Sequence, residues 1–173
     1  MPTVTESPGD IAQVNGPIAH AIYRISRMSR TTLAGLLRSS GVFPGQELLL
    51  MQLFEQDGLS QTDLVRALGL DASTVTKMLQ RMERAGWVER TPADHDHRVV
   101  LITLTDKGRS LQAVVEDAWR SLERLTTECL DNAQIEQARA VLAQIEEHMS
   151  ARSARTSDGS GHLRAVRAHA FTD

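Results

Sequence analysis

At Gly86 the spacing of apolar side chains changes period. Before it, Val75, Met78, Leu79 and Met82 recur at i, i+3, i+4 and i+7, which gives a helix one buried stripe. After it come two short runs rich in Val, Ile and Thr, residues 87–91 and 98–104, on either side of the polar, turn-rich segment 92–97. They predict a β-hairpin. From Thr105 the helical period returns through Leu111, Val114, Val115, Ala118, Leu122, Leu125 and Cys129. A single hairpin between helices makes the fold class mainly α with a small β element.

Upstream, Pro17 suits a first helical position, and Ile18, Ile22, Ile25, Met28, Leu33, Leu36 and Leu37 predict a helix over 17–40, ended by Gly41. A second helix is expected from Pro44 through Leu48, Leu49, Met51, Leu53 and Phe54 to about Gly58. Ser60-Gln61-Thr62-Asp63 resembles a capping box with Asp at its fourth position. The short helix it opens turns Leu64, Val65 and Leu68 inward. Gly69 can take a left-handed C′ conformation, and Asp71 can cap a helix over 72–85. Thr105 caps a long helix over 106–130. Asp131-Asn132 breaks it, and a last helix over 133–152 carries Ile135, Ala138, Val141, Leu142, Ile145 and Met149. Residues 1–16 and 153–173 read as flexible tails.

The length of 173 residues suits one domain with appendages. Only six residues are aromatic, so the core must come from Leu, Val, Ile, Ala and Met, as in helix-on-helix packing. No apolar run approaches the roughly 18 residues that span a bilayer, and the start has no secretory pattern. A cytoplasmic protein that avoids membranes is expected. The net charge of −3 conceals a gradient: residues 60–109 carry 8 basic and 7 acidic groups, whereas residues 110–149 carry 3 and 8. The acidity lies in the C-terminal helices and leaves room for a basic surface elsewhere.

With the stripe of the 72–85 helix inward, Ser73, Thr74, Thr76, Lys77, Gln80, Arg81 and Arg84 spread over its outer face. Hydroxyls and free N–H groups at a helix start suit phosphate oxygens. Lys and Arg can donate to guanine, and Gln can pair with adenine, in the major groove. A merely solvated helix face has the same polar pattern. The turn before it and the hairpin after it favour DNA, as a helix-turn-helix with a wing.

Residues 64–76, Leu64-Val65-Arg66-Ala67-Leu68-Gly69-Leu70-Asp71-Ala72-Ser73-Thr74-Val75-Thr76, carry a family resemblance. So do Met82-Glu83-Arg84-Ala85-Gly86-Trp87-Val88-Glu89-Arg90, Asp96-His97-Arg98 and Leu104-Thr105-Asp106-Lys107-Gly108. Together they resemble the multiple antibiotic resistance regulator (MarR) family of winged-helix transcription factors. The resemblance runs from about residue 17 to 152, with the winged helix-turn-helix over about 44–104 and dimerisation helices over about 17–40 and 105–152. It implies a homodimer that binds a pseudo-palindromic double-stranded operator, as a repressor released by a small aromatic or anionic effector. It places Arg98 in the minor groove with His97 beside it, and makes Asp96 a brace for the wing. Ser60 and Gln61, opening the first helix of the pair, complete the candidate DNA contacts. Tyr23, Arg24, Arg27 and Trp119 are candidate effector-pocket walls, whose plainer reading is packing and solvation.

His95 and His97 lack a third ligand nearby, so no metal is expected. Cys129 falls at a helical step and reads as a buried structural thiol. No phosphate loop, nucleophile elbow or carboxylate pair points to catalysis, and no cofactor is expected. The competing class is a winged-helix dimer that senses a ligand or binds a protein without reading DNA, which the acidity of residues 110–149 keeps open.

Overall fold

The computed structural model describes residues 15–93 and 96–157, with side chains at all of these except 96–98 and 153–157. Helix α1 (Pro17–Leu37) starts with proline at its N-terminus and ends in a 3-10 turn, Arg38–Ser40. Helix α2 (Gln46–Glu55) begins later than Pro44. The Gln46 side chain accepts from the Phe43 N–H (2.9 Å) while the Gln46 N–H donates to the Phe43 carbonyl (3.0 Å), and this reciprocal cap holds 43–45 as a turn. A two-residue strand β1 (Leu59–Ser60) follows, then α3 (Gln61–Leu68), α4 (Ala72–Arg84), β2 (Val88–Ala93) and β3 (Asp96–Leu104).

Strand β3 lies in the middle of an antiparallel sheet of order β1-β3-β2. Leu59 faces Ile102 and Val88 faces Leu104, with a register shift between Pro92 and Ala93. The hairpin is longer than the sequence suggests. Pro92 and Ala93 belong to β2, and Asp96 and His97 to β3, so most of the expected loop 92–97 is strand. Asp94 and His95 lie outside the described residues. At the other end Trp87 is not in the strand, because its N–H closes the C-terminus of α4 on the Met82 carbonyl (3.0 Å).

The core is aliphatic, as the scarcity of aromatics requires. Leu33 and Leu37 of α1, Leu49, Leu50 and Leu53 of α2, Leu64 of α3, Val75, Leu79 and Met82 of α4, and Val88, Ile102 and Leu104 of the sheet form one buried cluster. Val115, Ala118 and Leu122 extend it. These three lie on α6 (Gln112–Thr127), which follows the single turn α5 (Asp106–Arg109).

The expected unbroken helix over 106–130 is therefore interrupted at Ser110 and Leu111. Its first turn is fastened to the end of the hairpin: Thr105 Oγ1 donates to the Gly86 carbonyl (2.6 Å), and the Thr105 N–H donates to the Trp87 carbonyl (3.0 Å). Helix α6 also stops at Thr127, so Cys129 lies in the following turn and is exposed, not a buried thiol.

The chain divides into two compact units, Met1–Leu125 and Thr126–Asp173. The described part of the second is dominated by α7 (Asn132–Ser157), which continues past Arg152. Asp131 and Gln134 cap it reciprocally, each accepting the other's N–H at 2.9 Å. No helix among the described residues is long and apolar enough to cross a membrane.

Two stability predictions follow from burial. A Cβ on Gly108 would collide with the Trp87 carbonyl oxygen. Gly108→Ala is expected to cost about 3 kcal/mol, the upper end for overpacking, read as a lower melting temperature. Glu47, in the first turn of α2, is buried with Oε2 unpartnered among the described residues. Desolvation raises its pKa above the ordinary 4.5. The native state thus holds this proton more tightly than the unfolded chain, and the residue's contribution to stability declines as pH rises through that range. Glu47→Gln is expected to be more stable than the parent at pH 8, with the gap closing near pH 4, in denaturant titrations at the two pH values.

Candidate nucleic-acid interface

Each end of the α3–α4 pair is set by local chemistry. Ser60 caps α3: Oγ accepts from the Asp63 N–H (3.2 Å) and donates to Asp63 Oδ2 (2.6 Å), so the shorter Asp meets the Ser60 hydroxyl where a Glu or Gln would reach the backbone N–H. Gly69 at the C-cap has φ 61, a left-handed conformation that costs glycine no Cβ clash. Asp71 then caps α4. The two helices meet through Gln61, whose Nε2 donates to Thr76 Oγ1 (2.8 Å), while Thr76 donates to the Ala72 carbonyl (2.7 Å).

Burial of Val75, Leu79 and Met82 fixes the rotation of α4. The expected outer residues then separate into two groups. Lys77, Gln80 and Arg81 are exposed, and their side chains make no hydrogen bond or ion pair among the described residues. Arg84 is exposed as well but leans back on its own helix, Nε to the Gln80 carbonyl (3.1 Å).

The hydroxyl group is committed internally. Ser73 Oγ donates to Asp71 Oδ1 and Thr74 Oγ1 to Asp71 Oδ2, both at 2.6 Å, and the Thr74 N–H adds a third bond (2.8 Å). A hydroxyl has one proton, so Ser73 and Thr74 turn lone pairs outward in this state. The side-chain donors of α4 left without a partner among the described residues are then Lys77, Gln80 and Arg81, while the Thr74 and Val75 N–H groups at the helix start are taken by Asp71. The Ser73 and Thr74 hydroxyls, more than any other cause, hold the Asp71 carboxyl well below the usual aspartate range.

Several anchoring contacts join residues to which the sequence alone assigns no contact. Arg90 of β2 donates to Glu83 of α4 (2.7 Å) and ties the wing to that helix. Lys107 Nζ donates to the Ala85 carbonyl (2.8 Å). Asp57 accepts from the Gly58 N–H (3.0 Å), the Leu104 N–H (2.9 Å) and the Arg109 guanidinium. A charge followed by glycine before a two-residue strand gives too little pattern to foresee such contacts between residues about fifty positions apart.

The backbone of Asp96, His97 and Arg98 opens β3, at the wing, while their side chains lie outside the described residues. Of the candidate effector residues, Tyr23, Arg24 and Arg27 stand exposed on α1. Trp119 packs at the edge of the core with its indole N–H buried and unpartnered among the described residues. No hydrogen bond joins the four. No cluster of three or more His, Cys, Asp or Glu among the described residues could hold a metal.

A helix pair with an outward cationic face, followed by a β wing, is the architecture of a winged helix-turn-helix DNA-binding protein. Residues 44–100 match the model of the MarR family. The chain is 31% identical to the organic hydroperoxide resistance transcriptional regulator of Bacillus subtilis, over 65% of this chain and 76% of that one. It is 28% identical to the HTH-type transcriptional regulator YdgJ of the same organism, over 72% and 74%. A solved structure of reduced AbfR bound to DNA superposes with a TM-score of 0.66 at 27% identity, covering 82% of this chain and 95% of that one. The chain belongs to the MarR family. It is a DNA-binding transcriptional regulator and not an enzyme.

The Asp71 cap has a pH signature. A native pKa below the unfolded value of 3.8 means that its stabilisation is complete above that value and is lost as pH falls through and below it. The melting temperature of Asp71→Ala is expected to lie below the parent's by a constant margin between about pH 5 and 8, and the margin is expected to narrow below about pH 4. Differential scanning calorimetry across that range measures it.

Proposed function

We propose that the chain is a cytoplasmic homodimeric repressor that reads a pseudo-palindromic operator and is released by a small aromatic or anionic effector. One observation supports DNA reading above the rest: α4 buries Val75, Leu79 and Met82 while leaving Lys77, Gln80 and Arg81 exposed and unpaired among the described residues. In this reading each α4 enters a major groove, and the half-sites lie about one helical turn, roughly 34–36 Å, apart. Ser60, Gln61, Ser73, Thr74, Thr76 and Arg84 line the approach to the backbone and bases. Arg98 reaches the minor groove from the wing with His97 beside it, favoured where that groove is narrow and strongly negative, and Asp96 braces it.

Dimerisation is supported by apolar side chains left open in the single chain. Ile18, Ile25 and Met28 on α1 and Val141, Leu142 and Met149 on α7 are all exposed, more apolar surface than a solvated pair of helices carries. The effector role of Tyr23, Arg24, Arg27 and Trp119 rests on their mixture of ring, cation and the unsatisfied indole donor. Release then requires a ligand that binds one lobe separation better than the other.

The test is selection of bound fragments from the genome of origin, followed by titration of the best fragment at two salt concentrations. An inverted repeat bound more weakly as salt rises, through loss of counterion release, is the expected outcome. Binding without sequence preference or salt dependence would favour the protein-interaction dimer, to which the exposed acidic α6 and α7 would be suited. On the selected operator, Arg81→Ala is expected to cost about 1–3 kcal/mol and to relax preference at one position per half-site. Equal affinity of mutant and parent removes Arg81 from the reading face.

A further inference from the structure

The single turn α5 is fastened to three other parts of the winged helix. Thr105, its N-cap, holds the carbonyls of Gly86 and Trp87 where the hairpin begins. Lys107 Nζ holds the carbonyl of Ala85, the C-cap residue of α4, at 2.8 Å. Arg109 holds Asp57 Oδ2, and the other oxygen of the same carboxylate holds the Leu104 N–H at the end of β3 (2.9 Å) and the Gly58 N–H at the corner after α2 (3.0 Å). Gly108, having no Cβ, lets the turn lie flush on Trp87.

The link onward is not a free linker. The Leu111 N–H donates to the Gly108 carbonyl (3.1 Å) and the Val115 N–H to the Leu111 carbonyl (3.0 Å), so α6 leaves α5 through hydrogen-bonded backbone. The direction of α6 relative to α4 is thus held at two places, at this junction and where Val115, Ala118 and Leu122 enter the core.

We infer that Lys107 and Arg109 are positioning residues for DNA reading. By pinning α5 to the C-terminus of α4 and to Asp57, they set the angle between the recognition helix and α6, and with it the half-site separation that a dimer accepts. This rests on the dimeric reading proposed above. Both cations already hold protein acceptors, Lys107 a backbone carbonyl and Arg109 a carboxylate, unlike Lys77 and Arg81. The Arg109–Asp57 pair is 54% and 27% exposed, so screening leaves it little weight in global stability. As a charge-assisted hydrogen bond it still fixes direction.

The experiment uses the full chain and the inverted-repeat operator that it selects, with versions carrying one base pair added or removed between the half-sites. Each change moves one half-site by about 3.4 Å along the axis. The parent is expected to lose about ten-fold or more in affinity for either altered operator. Arg109→Gln and Lys107→Met are expected to melt within a few degrees of the parent and to bind all three operators within about three-fold of one another. Arg109→Lys, which keeps the charge on Asp57, is expected to recover most of the discrimination. If Lys107→Met does not fold, Arg109→Gln carries the test, since its pair is open to solvent. Variants that keep the parent's spacing profile overturn the inference, even where affinity falls uniformly. A parent that selects no inverted repeat overturns the dimeric reading, and this inference with it.

Discussion

The apolar stripe of α4 meets the aliphatic cluster of α2, α3 and β3, and nearly everything the molecule does depends on that contact. Val75, Leu79 and Met82 are without solvent exposure, as are Leu49, Leu50, Leu64 and Ile102 in the same cluster. Burying each large side chain contributes about 1.5–3 kcal/mol relative to leaving it in water. A helix with so polar an outer face has no other reason to stay folded. The same contact determines which side chains point outward, so the energetic and functional descriptions of α4 are one description. Moving the stripe by one position would carry Lys77 or Arg81 toward the core and be opposed by the cost of burying a charge.

Around that contact, short hydrogen bonds decide which polar groups are free. Asp71 takes the protons of Ser73 and Thr74, and Gln61 and Ala72 occupy the hydroxyl of Thr76. What remains is a compact cationic and amide face at Lys77, Gln80 and Arg81, each side chain long enough to reach a groove floor. The cap and the open face thus use different residues of the same helix, Asp71, Ser73 and Thr74 at its start and Lys77, Gln80 and Arg81 further along. The cap keeps the helix start rigid, and the outward charge one turn later is left unpaired.

Much of this was legible along the chain because it is local. The α4 stripe, the Gly69-Leu70-Asp71 turn, the caps at Ser60, Asp71 and Thr105, and the existence of the hairpin depend on residues within a few positions of one another. The hairpin is longer than its sequence suggests because Pro92 reads as a turn former, although an edge strand of this sheet tolerates it opposite Val100. Strand β1 went unseen because two residues carry no period. The break between α5 and α6 carries no sequence mark because apolar spacing continues across it. Cys129 reads as a core position only if the helix runs on to 130, and it ends at Thr127.

The sequence by itself determined the class of fold, the bounds and buried stripe of α4, and the polar chemistry of its outer face. Helical and strand periods, caps and turn residues act over short stretches, and each such signal is complete within its own segment. The tertiary structure alone decided which polar groups stay available and how the helices are aimed. Asp57 joined to Arg109, Lys107 to Ala85 and Glu83 to Arg90 bring together side chains and carbonyls whose pairing no local spacing encodes. Their partners become neighbours only once the apolar cluster has closed, because burial of Leu and Val is non-directional and hydrogen-bond geometry must then choose one arrangement among the many that such burial allows.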